Sequence, residues 1–339
     1  MKKITYLFGA GASCKELPLA KDIISKSGQI YGLSTSMLYL ARELKELDKR
    51  GFVKDKPIEF INNTITKLET VQKKASEYDS IDDYAKYLFI NKSPELEELK
   101  IVLARFFIIK QLYYRKFDKR YSTFLNKILR IKLFPTNVNI LTWNYDFQMQ
   151  IAAGKFIKED VSSTENANRR KLPLINYFPP IGRYDKNDNF QMVHLNGIAG
   201  HSLNKNYFTN NLIYFDLNES KETIFDWISK NSQEDRTITF AWEDNEINKT
   251  ALNIAKNIVS QTDIFIIIGY SFPDPNYNTD NQIIQTIVQN SYVKIYYQNP
   301  VFNKENFMDR FEIPKQVSNN IVWYENTEQF YIPTELLRN

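Results

Sequence analysis

The stretch Lys2-Lys3-Ile4-Thr5-Tyr6-Leu7-Phe8-Gly9-Ala10-Gly11-Ala12-Ser13 decides the fold. An apolar run of strand length, Ile4–Phe8, empties directly into a Gly-x-Gly turn. Glycine reaches backbone conformations closed to other residues and lets a phosphate group approach the main chain. The segment reads as a first β-strand followed by a nucleotide-phosphate loop, its backbone N–H groups and the Ser13 hydroxyl cradling a diphosphate at a helix start; without a ligand Ser13 is only an N-cap. A dinucleotide fingerprint has a third glycine, whereas position 14 is Cys. The alternative is a tight strand-to-helix turn with no ligand. Three later segments add weight to the loop reading: Thr142-Trp143-Asn144-Tyr145-Asp146, His194-Leu195-Asn196-Gly197 and Gly269-Tyr270-Ser271-Phe272-Pro273.

Working outward, strand-like runs recur at wide intervals: Val138–Leu141, Met192–Leu195, Leu212–Phe215, Ile264–Ile268, Val293–Tyr297 and Ile321–Tyr324. Ile264-Phe265-Ile266-Ile267-Ile268 is continuously apolar, as in a central parallel strand covered on both faces. Helical periodicity precedes it over Lys249–Thr262 and follows it over Asp280–Gln289. This alternation predicts an α/β fold, a Rossmann-like parallel sheet with helices on both faces. Residues 35–130 differ. They are rich in Lys, Glu, Leu and Tyr, with helical spacing over Ser36–Arg50 and Pro94–Phe117. They read as a large helical insertion in a single domain 1–339 whose sheet core comes from 1–34, 131–154 and 190–339. Residues 155–190 and 200–245 read as further excursions.

The chain has 339 residues, enough for a large core, with 43% hydrophobic and 25% charged residues, as in ordinary globular proteins. A net charge of +4 gives no footing for direct nucleic-acid binding. One cysteine excludes an internal disulfide framework and a Cys-rich zinc site. No stretch reaches the roughly 18 apolar residues of a membrane helix. The opening apolar run is too short for a secretory leader, so the expected location is cytoplasmic. Glycine is scarce, with 10 residues, so each glycine inside a motif carries weight.

The motifs place polar groups where open α/β sheets bind ligands, just past the carboxyl ends of parallel strands. Asn144 and Asp146 follow one such strand, although an Asx-turn satisfying local backbone would use the same residues. His194 is one of two histidines, with His201. It suits a general base or an orienting hydrogen-bond partner, or else a satisfied core histidine. Gly269 and Ser271 end the most apolar strand, a place suited to ribose or phosphate contact, or to a plain turn closed by Pro273 and Pro275.

Taken in order, Gly-Ala-Gly-x-Ser, Thr-x-Asn-x-Asp, His-x-x-Gly, Gly-x-Ser and an Asn after the next strand resemble the sirtuin family. Ser13-Cys14-Lys15-Glu16-Leu17-Pro18 also resembles that family's Ser-x-x-x-Gly-Ile-Pro, with Glu16 in place of the glycine. The resemblance implies a Rossmann-like NAD-binding domain that cleaves the nicotinamide–ribose bond. It assigns Gly9, Ala10, Gly11 and Ser13 to the NAD diphosphate. Asn144 would engage the nicotinamide-side ribose and the water or nucleophile. Asp146 would lie near the nicotinamide carboxamide, and His194 would act on the ribose hydroxyls as base. Gly269 and Ser271 would contact the adenosine half, and Asn299 the adenosine ribose.

Two departures redirect the expected chemistry. Deacylating sirtuins carry a four-cysteine zinc module, and this chain has only Cys14. The helical insertion is foreign to the deacylases too. Both features resemble the sirtuin-like domains of prokaryotic antiphage systems, which hydrolyse NAD to ADP-ribose and nicotinamide. The resemblance therefore implies an NAD glycohydrolase with NAD as substrate and no metal, acting as an NAD-depleting effector in abortive infection. It further implies a homo-oligomer, gated by assembly or by a partner such as a translocase-type ATPase or an Argonaute-like protein. The alternatives are an NAD or ADP-ribose sensor without turnover and, less well matched, an NAD-dependent protein deacylase.

Overall fold

Strand β1 (Ile4–Phe8) is buried at all five positions. Side chains alternate between the two faces of a strand, so both faces of the sheet are covered here. The computed structural model describes residues 1–21, 23–24, 30–49, 57–129, 134–159, 175–178, 190–199 and 238–337. The chain divides into two compact units. The first comprises Met1–Ala12, Asp118–Gly197 and Asp244–Asn339, and the second Ser13–Phe117 and Ile198–Glu243.

The second unit begins with two short antiparallel strands, β2 (Ile23–Ile24) and β3 (Ile30–Tyr31). Helices α1 (Leu33–Lys49), α2 (Pro57–Ala75), α3 (Ile81–Ile90) and α4 (Glu95–Ile108) follow. On α4 the apolar side chains Leu96, Leu99, Val102, Leu103, Phe106 and Phe107 are buried. The helix then widens into a single π-turn, Ile109–Tyr113. Ion pairs stitch these helices together: Lys45 to Glu69 and Lys74 to Glu95, both at 2.5 Å. Buried Arg105 donates to Asn63 Oδ1 at 2.7 Å and lies over the Phe60 ring.

The first unit is the α/β part. Helix α5 (Lys119–Ile128), expected within the helical insertion, belongs here. It is followed by β4 (Val138–Thr142), α6 (Gln148–Glu159), β5 (Ile175–Phe178) and β6 (Phe190–His194). Next come α7 (Glu246–Val259), β7 (Ile264–Ile268), α8 (Tyr277–Val288) and β8 (Lys294–Gln298). Helices α9 (Lys304–Arg310) and α10 (Lys315–Ser318), strand β9 (Ile321–Tyr324) and helix α11 (Thr334–Leu337) complete it. Among the described residues the sheet has seven strands in the order β5-β6-β4-β1-β7-β8-β9. Every pairing is parallel. This is the expected Rossmann-like α/β fold.

Boundaries moved where local chemistry overrides apolar pattern. Helix α7 starts earlier than its apolar stripe because Asn245 caps it, its side chain accepting from Asn248 N–H at 2.9 Å. Strand β5 lay hidden in the polar excursion 155–190. The expected strand Leu212–Phe215 and His201 lie outside the described residues. One polar side chain on β1, Thr5, is satisfied inside the core by Thr262, hydroxyl to hydroxyl at 2.7 Å.

The strand order fixes where a site belongs. The chain leaves β1 for β4 on one side, whereas β7 lies on the other side and leads outward to β8 and β9. The order reverses between β1 and β7. Helices on either side of such a switch point diverge, opening a crevice at the carboxyl ends of the strands.

Candidate functional site

Parallel pairing brings the carboxyl ends of the strands to one edge. Phe8 is in register with Thr142 and Ile268, Thr142 with His194, and Ile268 with Gln298. The ladder runs one step further through Trp143 N–H to Phe8 O at 3.0 Å, Leu195 to Thr142 at 2.8 Å and Gly9 to Ile268 at 3.0 Å. Gly269 N–H likewise donates to Gln298 O at 2.9 Å and Asn299 N–H to Tyr324 O at 3.1 Å. Gly9, Asn144, Asp146, His194, Gly269 and Asn299 therefore all stand at this edge.

The glycines here have a packing reason. A Cβ on Gly9 would lie 2.6 Å from Tyr270 Cα, and one on Gly11 2.8 Å from Gly269 Cα. Gly269 has φ +60, and its Cβ would meet the Gly11 carbonyl carbon at 2.4 Å. Gly11 N–H donates to Gly269 O at 2.8 Å and Ala12 N–H to Gly9 O at 2.9 Å, closing a 3-10 turn over Ala10–Ala12. The Ala10 amide makes no hydrogen bond among the described residues.

Ser13 does not start a helix. Its carbonyl accepts from Glu16 at 3.1 Å and Leu17 at 2.9 Å, a turn that stops there, and the next described helix is α1. Ser13 is buried and is the first residue of the second unit. The loop thus lacks the helix N-terminus whose dipole favours phosphate in nucleotide folds. The helix was expected because Gly-rich turns in such folds feed one, but Pro18 has no N–H to donate and disfavours the helical conformation at Leu17.

Asn144, Asp146 and His194 are buried together at the ends of β4 and β6. Asn144 N–H donates to Thr142 Oγ1 at 3.1 Å, and Asp146 Oδ1 accepts from Gln148 N–H at 3.1 Å. The Asp146 bond is an Asx-turn that launches α6. The His194 ring nitrogens are both engaged. Nδ1 lies 3.0 Å from the Asn144 carbonyl oxygen and Nε2 lies 2.6 Å from Gln150 Nε2. A carbonyl only accepts, so Nδ1 carries a proton. With the Gln150 amide as placed, Nε2 accepts. Gln150 Oε1 is buried without a partner among the described residues.

A second network lies under the end of β7. The Tyr270 hydroxyl donates to Asp280 Oδ2 at 2.8 Å and accepts from Asn276 Nδ2 at 2.9 Å. Its ring stacks on Trp143 at 5.9 Å between centroids. Burial pushes the Asp280 carboxyl well above the usual carboxylate range, against the Tyr270 hydrogen bond, the nearby Trp143 indole and the Arg310 charge. Ser271 is exposed. Both ends of the Asn299 amide are engaged, its Nδ2 with Tyr270 O at 3.4 Å and its Oδ1 with Val301 N–H at 3.0 Å.

Arg120 is the residue that sequence reasoning missed. It is buried on α5, and its guanidinium donates to Ala12 O at 2.9 Å and Thr327 O at 3.0 Å. It is paired with buried Asp118, Nη2 to Oδ2 at 2.6 Å and Nε to Oδ1 at 3.0 Å, and lies over the Phe330 ring. Asp118 in turn caps α5, and its N–H donates to Gln148 Oε1 at 2.8 Å. One hydrogen-bonded chain therefore runs from the Gly loop through Arg120, Asp118 and Gln148 to Asp146. Arg120 stands 108 residues from Ala12 in a Lys/Arg-rich stretch, so no local pattern singles it out.

Among the described residues no cluster of three His, Cys, Asp or Glu side chains is placed to hold a metal ion, and no helix is long and apolar enough to cross a membrane. No protein-family model matches the chain, and no curated protein matches it.

Proposed function

We propose that this protein binds NAD across the β1/β7 switch point and hydrolyses its nicotinamide–ribose bond, giving ADP-ribose and nicotinamide. The observation that carries this reading is the convergence of the Gly9–Gly11 turn, Asn144, Asp146, His194 and Gly269 at the edge where a doubly wound sheet takes a dinucleotide. The Ala10 amide and the buried Gln150 Oε1 have no hydrogen-bond partner among the described residues. Their fit with a dinucleotide supports the reading, and the resemblance of the motifs to sirtuins adds to it.

The chemistry asks little of the protein. The C1′–N bond breaks with its electron pair leaving on nicotinamide, which departs neutral because it was cationic in NAD. Positive charge develops on the ribose, and one water attacks C1′ and gives up a proton. The protein must hold the ribose, face the cation with negative or dipolar groups and admit that water. In this proposal Asn144 orients ribose and water, and Asp146 faces the developing charge. His194 works chiefly through Asn144, whose carbonyl it grips, because both of its ring nitrogens are engaged. That saturation also favours the second reading, an NAD or ADP-ribose sensor without turnover. A deacylase has less support, since the lone cysteine cannot build the zinc module. The antiphage role and the gating by assembly or by an ATPase or Argonaute-like partner belong to the same proposal and rest on the resemblance; a cytoplasmic location is proposed with them.

The test is nicotinamide release from NAD by the purified protein. Wild type is expected to release it, and Asn144→Ala and His194→Ala to lose about 100-fold or more, as when a transition-state contact is removed. NAD binding without release would favour the sensor. Normal turnover in Asn144→Ala would overturn the site assignment.

A further inference from the structure

The His194-Leu195-Asn196-Gly197 segment carries two polar side chains, and the structure treats them in opposite ways. His194 has a partner on each ring nitrogen. Asn196 is also buried, yet its Oδ1 has no partner among the described residues. Its other end makes one long bond, Nδ2 to the Tyr145 hydroxyl at 3.4 Å. Turning the carboxamide over exchanges the two ends and still leaves one of them unpaired. Folded proteins bury few polar atoms without partners, because each forfeits its bonds to water. Such an atom at the edge where ligands bind is what a site shaped for a hydrogen-bonding substrate looks like before the substrate arrives.

We propose that Asn196 is a substrate-binding residue whose carboxamide oxygen accepts a hydrogen bond from the nicotinamide riboside half of the dinucleotide. This rests on the NAD reading above. The half is chosen by position. Asn196 stands just past β6, bonded to Tyr145 between Asn144 and Asp146. Gly269, Ser271 and Asn299, the residues assigned to adenosine, stand past β7 and β8 on the other side of β1. On the nicotinamide side the substrate offers two kinds of donor, the carboxamide N–H and the ribose O–H. Either matches an orphan oxygen.

The test compares wild type with Asn196→Leu, a shape-conserving change that removes the acceptor. Three readouts are taken: thermal unfolding without ligand, NAD binding by calorimetry, and nicotinamide release. Asn196→Leu is expected to melt at the same or a higher temperature, because it removes an unsatisfied buried group. It is also expected to weaken NAD binding or kcat/KM by about 10- to 100-fold, the range of one lost hydrogen bond. A merely structural asparagine gives the opposite pattern, a lower melting temperature with NAD affinity intact, and that result overturns the proposal. So does unchanged binding and turnover. The analogue with an acetyl group in place of the carboxamide separates the two donors. If Asn196 accepts the amide N–H, the Leu variant loses nothing further on that analogue. If it accepts a ribose hydroxyl, the loss persists. Wild type that binds NAD without turnover sinks the hydrolase reading and leaves the Asn196 comparison intact through the binding arm. Wild type that does not bind NAD overturns both.

Discussion

Gly11 and Gly269 pack main chain against main chain, with the Gly11 N–H donating to the Gly269 carbonyl oxygen at 2.8 Å. A Cβ on Gly269 would sit 2.4 Å from the Gly11 carbonyl carbon, nearer than any real Cβ contact. The Gly-x-Gly turn is thus first a joint between β1 and β7. Whatever it does for a ligand, it does with the main-chain groups the joint leaves over.

Gly269→Ala is expected to destabilise the fold severely. It combines a left-handed backbone conformation with a clash against main chain that has nowhere to move. Together these cost about 2–5 kcal/mol, read as a lower midpoint in urea unfolding. An unchanged midpoint would show that the two strands separate more easily than the packing implies.

Arg120→Met and Asp118→Leu each strand a buried charge, and each is expected to cost about 3–5 kcal/mol. The double variant should be less destabilised than the sum of the two, because neither charge is then left alone. Arg120→Lys should recover little, since an ammonium group cannot reach Asp118, Ala12 O and Thr327 O with one planar fork. Additive losses in the double-mutant cycle would mean the pair is not coupled.

Asp280 sets a pH dependence. Its folded pKa is raised by burial, so the folded state holds this proton more tightly than the unfolded chain does. Stability from this group is fully present below the ordinary carboxylate pKa of about 4 and is lost as pH rises through the folded value. Asp280→Asn, which keeps an acceptor for the Tyr270 hydroxyl, should therefore gain stability relative to wild type as pH rises from 4 to 8. Chemical denaturation at the two pH values measures this; a gain confined to pH 4 would reverse the sign of the shift.

The His194 ring is expected in the Nδ1–H tautomer, held by the Asn144 carbonyl. Nitrogen-15 NMR of histidine-labelled protein distinguishes the two ring nitrogens. Gln150→Leu removes the partner of Nε2 and should shift that resonance alone. An Nε2–H tautomer in wild type would contradict the hydrogen-bond assignment and return His194 to the role of an open base.

The strands were legible because β7 is an unbroken apolar run and β1 is broken only by Thr5, as a strand buried on both faces requires. The polar residues at the strand ends were legible for the same reason, since they mark where each run stops. Strand β5 was not, because at an edge of the sheet, within a polar excursion, its pattern carries little signal. Ser13 misled because a Gly-rich turn suits a helix start and a plain turn equally well.

By itself the sequence determined an α/β chain with a parallel Rossmann-like sheet, a helical segment between its first strands, and polar residues gathered after β1, β4, β6 and β7. Local apolar runs and turn residues carry that much, because burial on a strand or helix imposes a period that neighbouring residues must share. Only the tertiary structure decided which polar groups are used up and which are left. His194 proved saturated, Asn196 open, and Arg120 the clamp beneath the Gly loop. Those facts depend on hydrogen bonds between residues far apart in the chain, and no period in the sequence records a bond across such a distance.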